Sequence, residues 1–245
     1  MADSDIFFYD IAAAVVIFVL LLSILIRRKM HGPANRVFFS IVILSALTTL
    51  ACLGGDLYDA ILCPFLAEHG LIDPGNSQGV RSAIQLVYYT LRTLMAPAYL
   101  VLISAVSNSS HKLNGNNLAR VLLWAPMMAV TLFVLLNPIH HQIYVCDATG
   151  THRGPLIWLI YASALYYTLI GVGWLLRWRT VVNEDEFTTL LLMYPLVFLA
   201  VCIQYLFPHL RVEMFFTAIG ILMVSTFVLR PEYQLDSQVE AASLN

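Results

Sequence analysis

Arg92 stands inside an apolar stretch that begins near residue 82, ten residues or ~15 Å of helix rise from its start. That depth is near the middle of a bilayer, where a guanidinium must find an acceptor. Tyr88, Met95 and Tyr99 sit four before, three after and seven after it, so they share its helix face. Two readings stay open: an anchor for an anionic or carbonyl-bearing ligand, or a structural ion pair inside a bundle. Asp56 and Asp59 follow Gly54 and Gly55, three residues apart on one helix face. They can pair with Arg92 or Arg211, bind a cation or amine, or be solvated at an interface. Glu213 opens the last apolar run, where a carboxylate also suits the positive end of a helix dipole. Phe216 and Gly220 follow on its face.

Asn137, Pro138, His140 and His141 close another apolar run. Adjacent histidines point in different directions on a helix and make a poor pair for one metal, whereas Asn137 with His140 is a coherent polar pair. His152 and His209 add only a weak case for a metal or pH role, so no metal site is assigned. Catalytic motifs are absent: no G-x-S-x-G, no H-E-x-x-H and no phosphate-binding glycine loop. The residues predict neither an enzyme nor a cofactor.

These side chains are carried by a strongly apolar chain. Of 245 residues, 60% are hydrophobic and 11% charged, with mean hydropathy +0.78; soluble domains run about 45–50% apolar and roughly 25% charged. A bilayer can cover that surface, and a net charge of −2 gives no reason to expect nucleic acid. Seven runs are long enough to be spans: 6–26, 37–59, 82–106, 120–138, 155–176, 187–207 and 212–229. The first reads as a retained helix, because acidic residues precede it and Arg27, Arg28 and Lys29 follow it. The expected class is therefore an all-α integral membrane protein, a seven-transmembrane helix bundle.

Charge sets its direction. Arg27, Arg28, Lys29, Arg36, Lys112, Arg120, Arg177, Arg179 and Arg230 fall on one side; Arg81, Arg153 and Arg211 fall on the other. That nine-to-three bias places the first set in the cytoplasm, the N-terminus outside and the C-terminus inside. The two long connections, 60–81 and 139–154, are then extracytoplasmic, and each holds one cysteine, Cys63 and Cys146. A disulfide between them is permitted there. Cys52 and Cys202 lie within spans. Pro97, Pro126 and Pro195 interrupt spans three, four and six, each freeing a carbonyl.

Several stretches resemble a known family: NRVFF at 35–39, GGDLYDA at 54–60, TLRTLMAPAYLVLISAVS at 90–107, LLNPIHHQIY at 135–144 and GPLIWLIYASALYYTLIGVGWLLRWR at 154–179. In order and spacing they are similar to the seven-helix N-terminal sensor region of bacterial histidine kinases and GGDEF-type diguanylate cyclases. Asn137 and His140 look like that family's Asn-x-x-His signature. The resemblance implies a sensor domain over 1–230 and a cytoplasmic linker over 231–245, leading to an effector whose motifs are not in this sequence. It implies residence in the bacterial inner membrane, a small extracytoplasmic ligand as partner and a homodimer. Asp56, Asp59, Arg92, Asn137, His140 and Glu213, with Tyr88 and Tyr99 in support, are the expected ligand-binding residues. A small transporter or channel, or an accessory receptor without its own effector, is the rival class.

Overall fold

The structure, a computed structural model, describes residues 4–27, 32–70, 77–110, 112, 115, 117–147, 150–207 and 212–228. Arg28, Lys29, His209, Arg211, Arg230 and the segment 231–245 lie outside the described residues, and with them the expected linker and part of the charge bias.

Long helices that reverse direction at each connection build the fold: α1 (Ser4–Arg27), α2 (Pro33–Leu57), α4 (Ser77–Val106), α5 (Asn117–Leu135), α7 (Trp158–Arg177), α8 (Glu184–Leu206) and α9 (Glu213–Val228). Short helices α3 (Cys63–Glu68) and α6 (Asn137–His140) decorate one end. Among the described residues, five helices are long and apolar enough to cross a membrane, while α5 and α9 are apolar but shorter. The 16 described residues of α9 rise about 24 Å, against the ~30 Å of a hydrocarbon core.

Apolar and polar residues are distributed as lipid demands. Phe18, Ile26, Met128, Leu132 and Leu206 face outward. Inside lie apolar residues such as Phe38, Leu102 and Ile221 together with Asp10, Asn35, Ser45, Thr49, Arg92 and Thr217, all buried. Helix α4 is the most buried, packed against α2, α5 and α7, and α9 lies among α1, α2 and α8; α5 packs at the edge, against α4 and α7.

Local chemistry accounts for several details. Pro33 opens α2 where a missing N–H costs nothing. Glu184, Asp185 and Glu186 occupy the first turn of α8, at the positive end of its dipole. Pro126 removes the N–H that would bond the Leu122 carbonyl, and the Tyr166 hydroxyl donates to that oxygen at 2.8 Å. The neighbouring Tyr167 hydroxyl donates to Leu123 O at 2.5 Å and accepts from Met127 N. Two of the tyrosines in the fifth apolar run thus repair the proline break in the fourth.

Two features differ from the sequence reading. The second span does not end at residue 59: a π-helical turn over Tyr58–Leu62 carries it on into α3. The long connection 139–154 holds a hairpin, β1 (Tyr144–Asp147) against β2 (Gly150–Arg153), pairing Tyr144 with Arg153 and Cys146 with Thr151. Tyr144 is buried, stacks on Tyr89 of α4 and donates its hydroxyl to Ser82 O at 3.1 Å. Gly154 follows so closely under Gln142 that a Cβ there would overlap the Gln142 carbonyl, which is backbone and cannot swing aside. The hairpin therefore caps the end of the bundle where α2 and α8 finish and α4, α7 and α9 begin, called here the hairpin end.

Candidate functional site at the hairpin end

Arg92 is 7% exposed and is held by Glu213. Its Nε donates to Glu213 Oε1 at 2.9 Å and its Nη2 donates to Oε2, a fork-on-fork pairing between α4 and α9. Three phenol rings surround the cation: Tyr161 at 5.0 Å from the guanidinium carbon, Tyr88 at 5.9 Å and Tyr89 at 6.0 Å. The Glu213 backbone N–H is taken by Gln204 Oε1 at 3.2 Å. Of the two readings left open for Arg92, the ion pair is the one present, and its partner is Glu213 rather than the Asp56 or Asp59 that the sequence offers.

Above this pair a hollow of about 420 Å³ opens toward the hairpin. Its walls come from six helices and β2: Asp10 of α1, Cys52 of α2, Gln85 and Tyr88 of α4, Thr151 to Arg153 of β2, Tyr161 of α7, Gln204 of α8 and Met214 of α9. Arg92 forms part of the floor. Arg153 is held over the rim by donating to Gln204 O at 3.0 Å. Asp10, completely buried, brings a carboxylate to the wall. The hollow thus presents an acid and two guanidinium groups among aromatic rings, a setting for a small polar molecule with charge of both signs.

Beside the hollow, Asp10, Cys52 and Asp56 place donor atoms within 4.8 Å of one another. The Cys52 thiol points at Asp10 Oδ2, 3.8 Å away. Two carboxylates so close cannot both hold full charge in a buried site unless a proton or a cation is shared between them. This is the group among the described residues best able to hold a cation.

The other expected residues separate into different roles. Asp56 and Asp59 do not act together: the widened π-turn begins at Tyr58, and Asp59 turns to α4, accepting from Arg81 Nε at 2.5 Å, while Asp56 stays with α1. Asn137 is fully buried and is a clamp for the chain: Nδ2 donates to Tyr144 O at 2.9 Å, and Oδ1 accepts from Ile143 N at 2.7 Å and Tyr144 N at 3.4 Å. His140 stacks on Phe133; its Nε2 lies 2.9 Å from Phe133 O, and its Nδ1 accepts from Gln142 N. Neither Asn137 nor His140 lines the hollow. Tyr88 does, and Tyr99 lies deeper, in a second cavity below the Arg92–Glu213 pair.

Cys63 and Cys146 are free thiols, so the disulfide that their placement permits is not formed. Arg81 stands between their elements, with Nη1 donating to Asp147 O at 2.9 Å and Nη2 3.7 Å from Cys63 Sγ. Cys146 instead lies 3.7 Å from Thr151 Oγ1, and burial pushes its thiol pKa up, a shift the Thr151 contact opposes.

No family model, curated protein or solved structure matches this chain. The ligand-site reading therefore rests on the site itself.

Sequence reasoning missed Arg81, Asp10, Arg153 and Gln204. Arg81 had a signal: it precedes Arg92 by eleven residues, three turns of helix, so Arg81, Gln85, Tyr88 and Arg92 form one stripe along α4. Asp10 had one too, as an acid within the first apolar run. Arg153 and Gln204 had none, since they meet only through the hairpin.

Proposed function

We propose that this chain is a membrane-embedded sensory input module that takes a small polar ligand from outside the cytoplasm and signals to a C-terminal cytoplasmic effector. The observation that carries this reading is the hollow at the hairpin end. It is polar, accessible and built by side chains from six helices and the hairpin, with both signs of charge facing it. Seven spans with the hairpin end outside belong to the same reading, supported by the nine-to-three distribution of Lys and Arg. So does a diguanylate cyclase effector, or else a histidine kinase, in a bacterial inner membrane and a homodimer, supported by the family resemblance of the motifs.

The floor of the hollow suggests how the signal would travel. Arg92 faces the ligand space and grips Glu213 at the head of α9. Helix α9 packs against α1, α2 and α8 and runs to the opposite end, toward the tail. A ligand that pulls on Arg92 or crowds its tyrosine collar changes the seat of α9. It shifts the equilibrium by its differential affinity for the two seats and by nothing else.

A conduction pathway has one observation in its favour: Ser45, Thr48 and Thr49 are buried on α2 below Cys52 and Asp56. One assay separates the readings. Thermal melts of the protein in nanodiscs, run against a panel of water-soluble amines, carboxylates and zwitterions, should find stabilising compounds. Their effect should vanish in Asp10→Asn while the apo melting temperature stays within a few degrees. Hits that bind Asp10→Asn unchanged, or no hits at all, would remove the ligand site. Asp10-dependent cation flux into proteoliposomes would favour the pathway.

A further inference from the structure

Below the Arg92–Glu213 pair the bundle holds a second cavity of about 90 Å³, walled by α4, α7, α8 and α9. It is long and thin. On α7 it runs from Ile160 to Thr168, eight residues or ~12 Å of rise. Its lining is mostly apolar, with Met95, Met193 and Val197 among the walls. Among its polar lining, which includes Thr93, Ser163 and Thr217, two phenols stand out. Tyr99 of α4 is 6% exposed and Tyr194 of α8 is 7% exposed, and neither hydroxyl has a hydrogen-bond partner among the described residues. A buried O–H left unbonded is costly; both residues line the chamber, the Tyr194 hydroxyl lying against Gly171 of α7. At its side the chamber reaches Leu165 of α7 and Phe198 of α8, which are 43% and 47% exposed on the outer face of the bundle.

From this geometry we infer that the chamber binds a single-chain lipophile bearing a carbonyl or ether oxygen, admitted from the bilayer between α7 and α8. The bore of about 90 Å³ takes only the oxygen-bearing end of a chain, whose remainder stays in the bilayer, and rejects a fused ring system. The apolar walls bury its methylene groups, and the two phenols donate to its oxygen. The Arg92–Glu213 pair closes the top, so the chamber is separate from the hollow above and this inference goes beyond the proposed function.

The test uses the full chain in nanodiscs with no water-soluble ligand added. Two photoactivatable probes are compared: a linear methyl ketone carrying an alkyl diazirine, and the same diazirine hydrocarbon without the carbonyl. The ketone should label peptides of α7 and α8 around Leu165 and Phe198, and excess 2-undecanone, but not undecane, should compete. Tyr99→Phe and Tyr194→Phe should each weaken ketone labelling about fivefold, the equivalent of one ordinary hydrogen bond. Both variants should melt at or above the parent temperature, because each removes an unbonded donor and keeps the ring. Ala164→Phe, which narrows the chamber, should reduce labelling further. Equal labelling by ketone and hydrocarbon, ketone labelling unchanged in the double Phe variant, or no specific labelling would each overturn the inference.

Discussion

Replacing Glu213 with Leu will lower the stability of the bundle by about 3–5 kcal/mol, because it leaves the Arg92 guanidinium buried without its counter-charge. On the usual scale for a chain of this size that is a fall of roughly 6–20 °C in melting temperature. Arg92→Met will do comparable damage by stranding the carboxylate. The double variant, Arg92→Met with Glu213→Leu, should recover most of the loss, since two apolar side chains can fill the space of a buried pair. The side chains are only 6% and 12% exposed, so solvent cannot rescue either partner alone. Thermal melts of the four proteins in one detergent give the coupling directly. Additive losses, with the double variant worse than either single one, would mean that the two residues matter separately and that α9 is not seated through this contact. The same experiment bears on signalling. A double variant that folds but no longer couples the hollow to the tail is what a transmitting ion pair predicts.

Asn137→Ala should also cost about 3 kcal/mol, for a different reason. The amide serves Tyr144 O, Ile143 N and Tyr144 N at once in a fully buried position. Alanine fills little of the space and leaves three backbone groups without partners, each with a desolvation cost of about 1 kcal/mol or more. The damage should be local. Amide hydrogen exchange at Ile143 and Tyr144 should quicken by about two orders of magnitude, which is what that loss implies for a local opening. Exchange deep in α4 should change much less. Asn137→Asp should fall between, because it keeps the acceptor for the two N–H groups but sets a carboxylate oxygen against the Tyr144 carbonyl. Unaltered exchange at those two amides in Asn137→Ala would show that the hairpin is held by its other ties, Tyr144 to Ser82 and Arg81 to Asp147.

Arg92 and Asn137 show where the sequence was legible. The helices could be read because their signal is additive: some twenty apolar residues in a row outweigh any single misplaced group. Arg92 could be singled out because one guanidinium amid apolar residues must have an acceptor. Which acceptor could not be read, since Glu213 lies 121 residues away and its choice depends on how α9 packs beside α4. Asn137 and His140 were conspicuous by type, but their polarity is spent on the backbone nearby, a use that leaves the same mark in sequence as a ligand site. The pairing of Asp56 with Asp59 failed because α-helical spacing was assumed across Tyr58–Leu62, where the helix widens to a π-turn. The hairpin was missed because its four-residue strands carry no clear alternation of apolar and polar residues.

Everything proposed for function depends on the hollow being open to the outside, and Cys52 reports on that. It lines the hollow and is not part of a disulfide. In a variant with Cys63, Cys146 and Cys202 changed to Ser, a charged, membrane-impermeant methanethiosulfonate is added to intact cells and, separately, to inverted membrane vesicles. The account predicts that Cys52 reacts in the cells and is protected in the vesicles, and that compounds stabilising the protein slow the reaction. Reaction only in the inverted vesicles, or a Cys52 that reacts from neither side until the protein is unfolded, would contradict it.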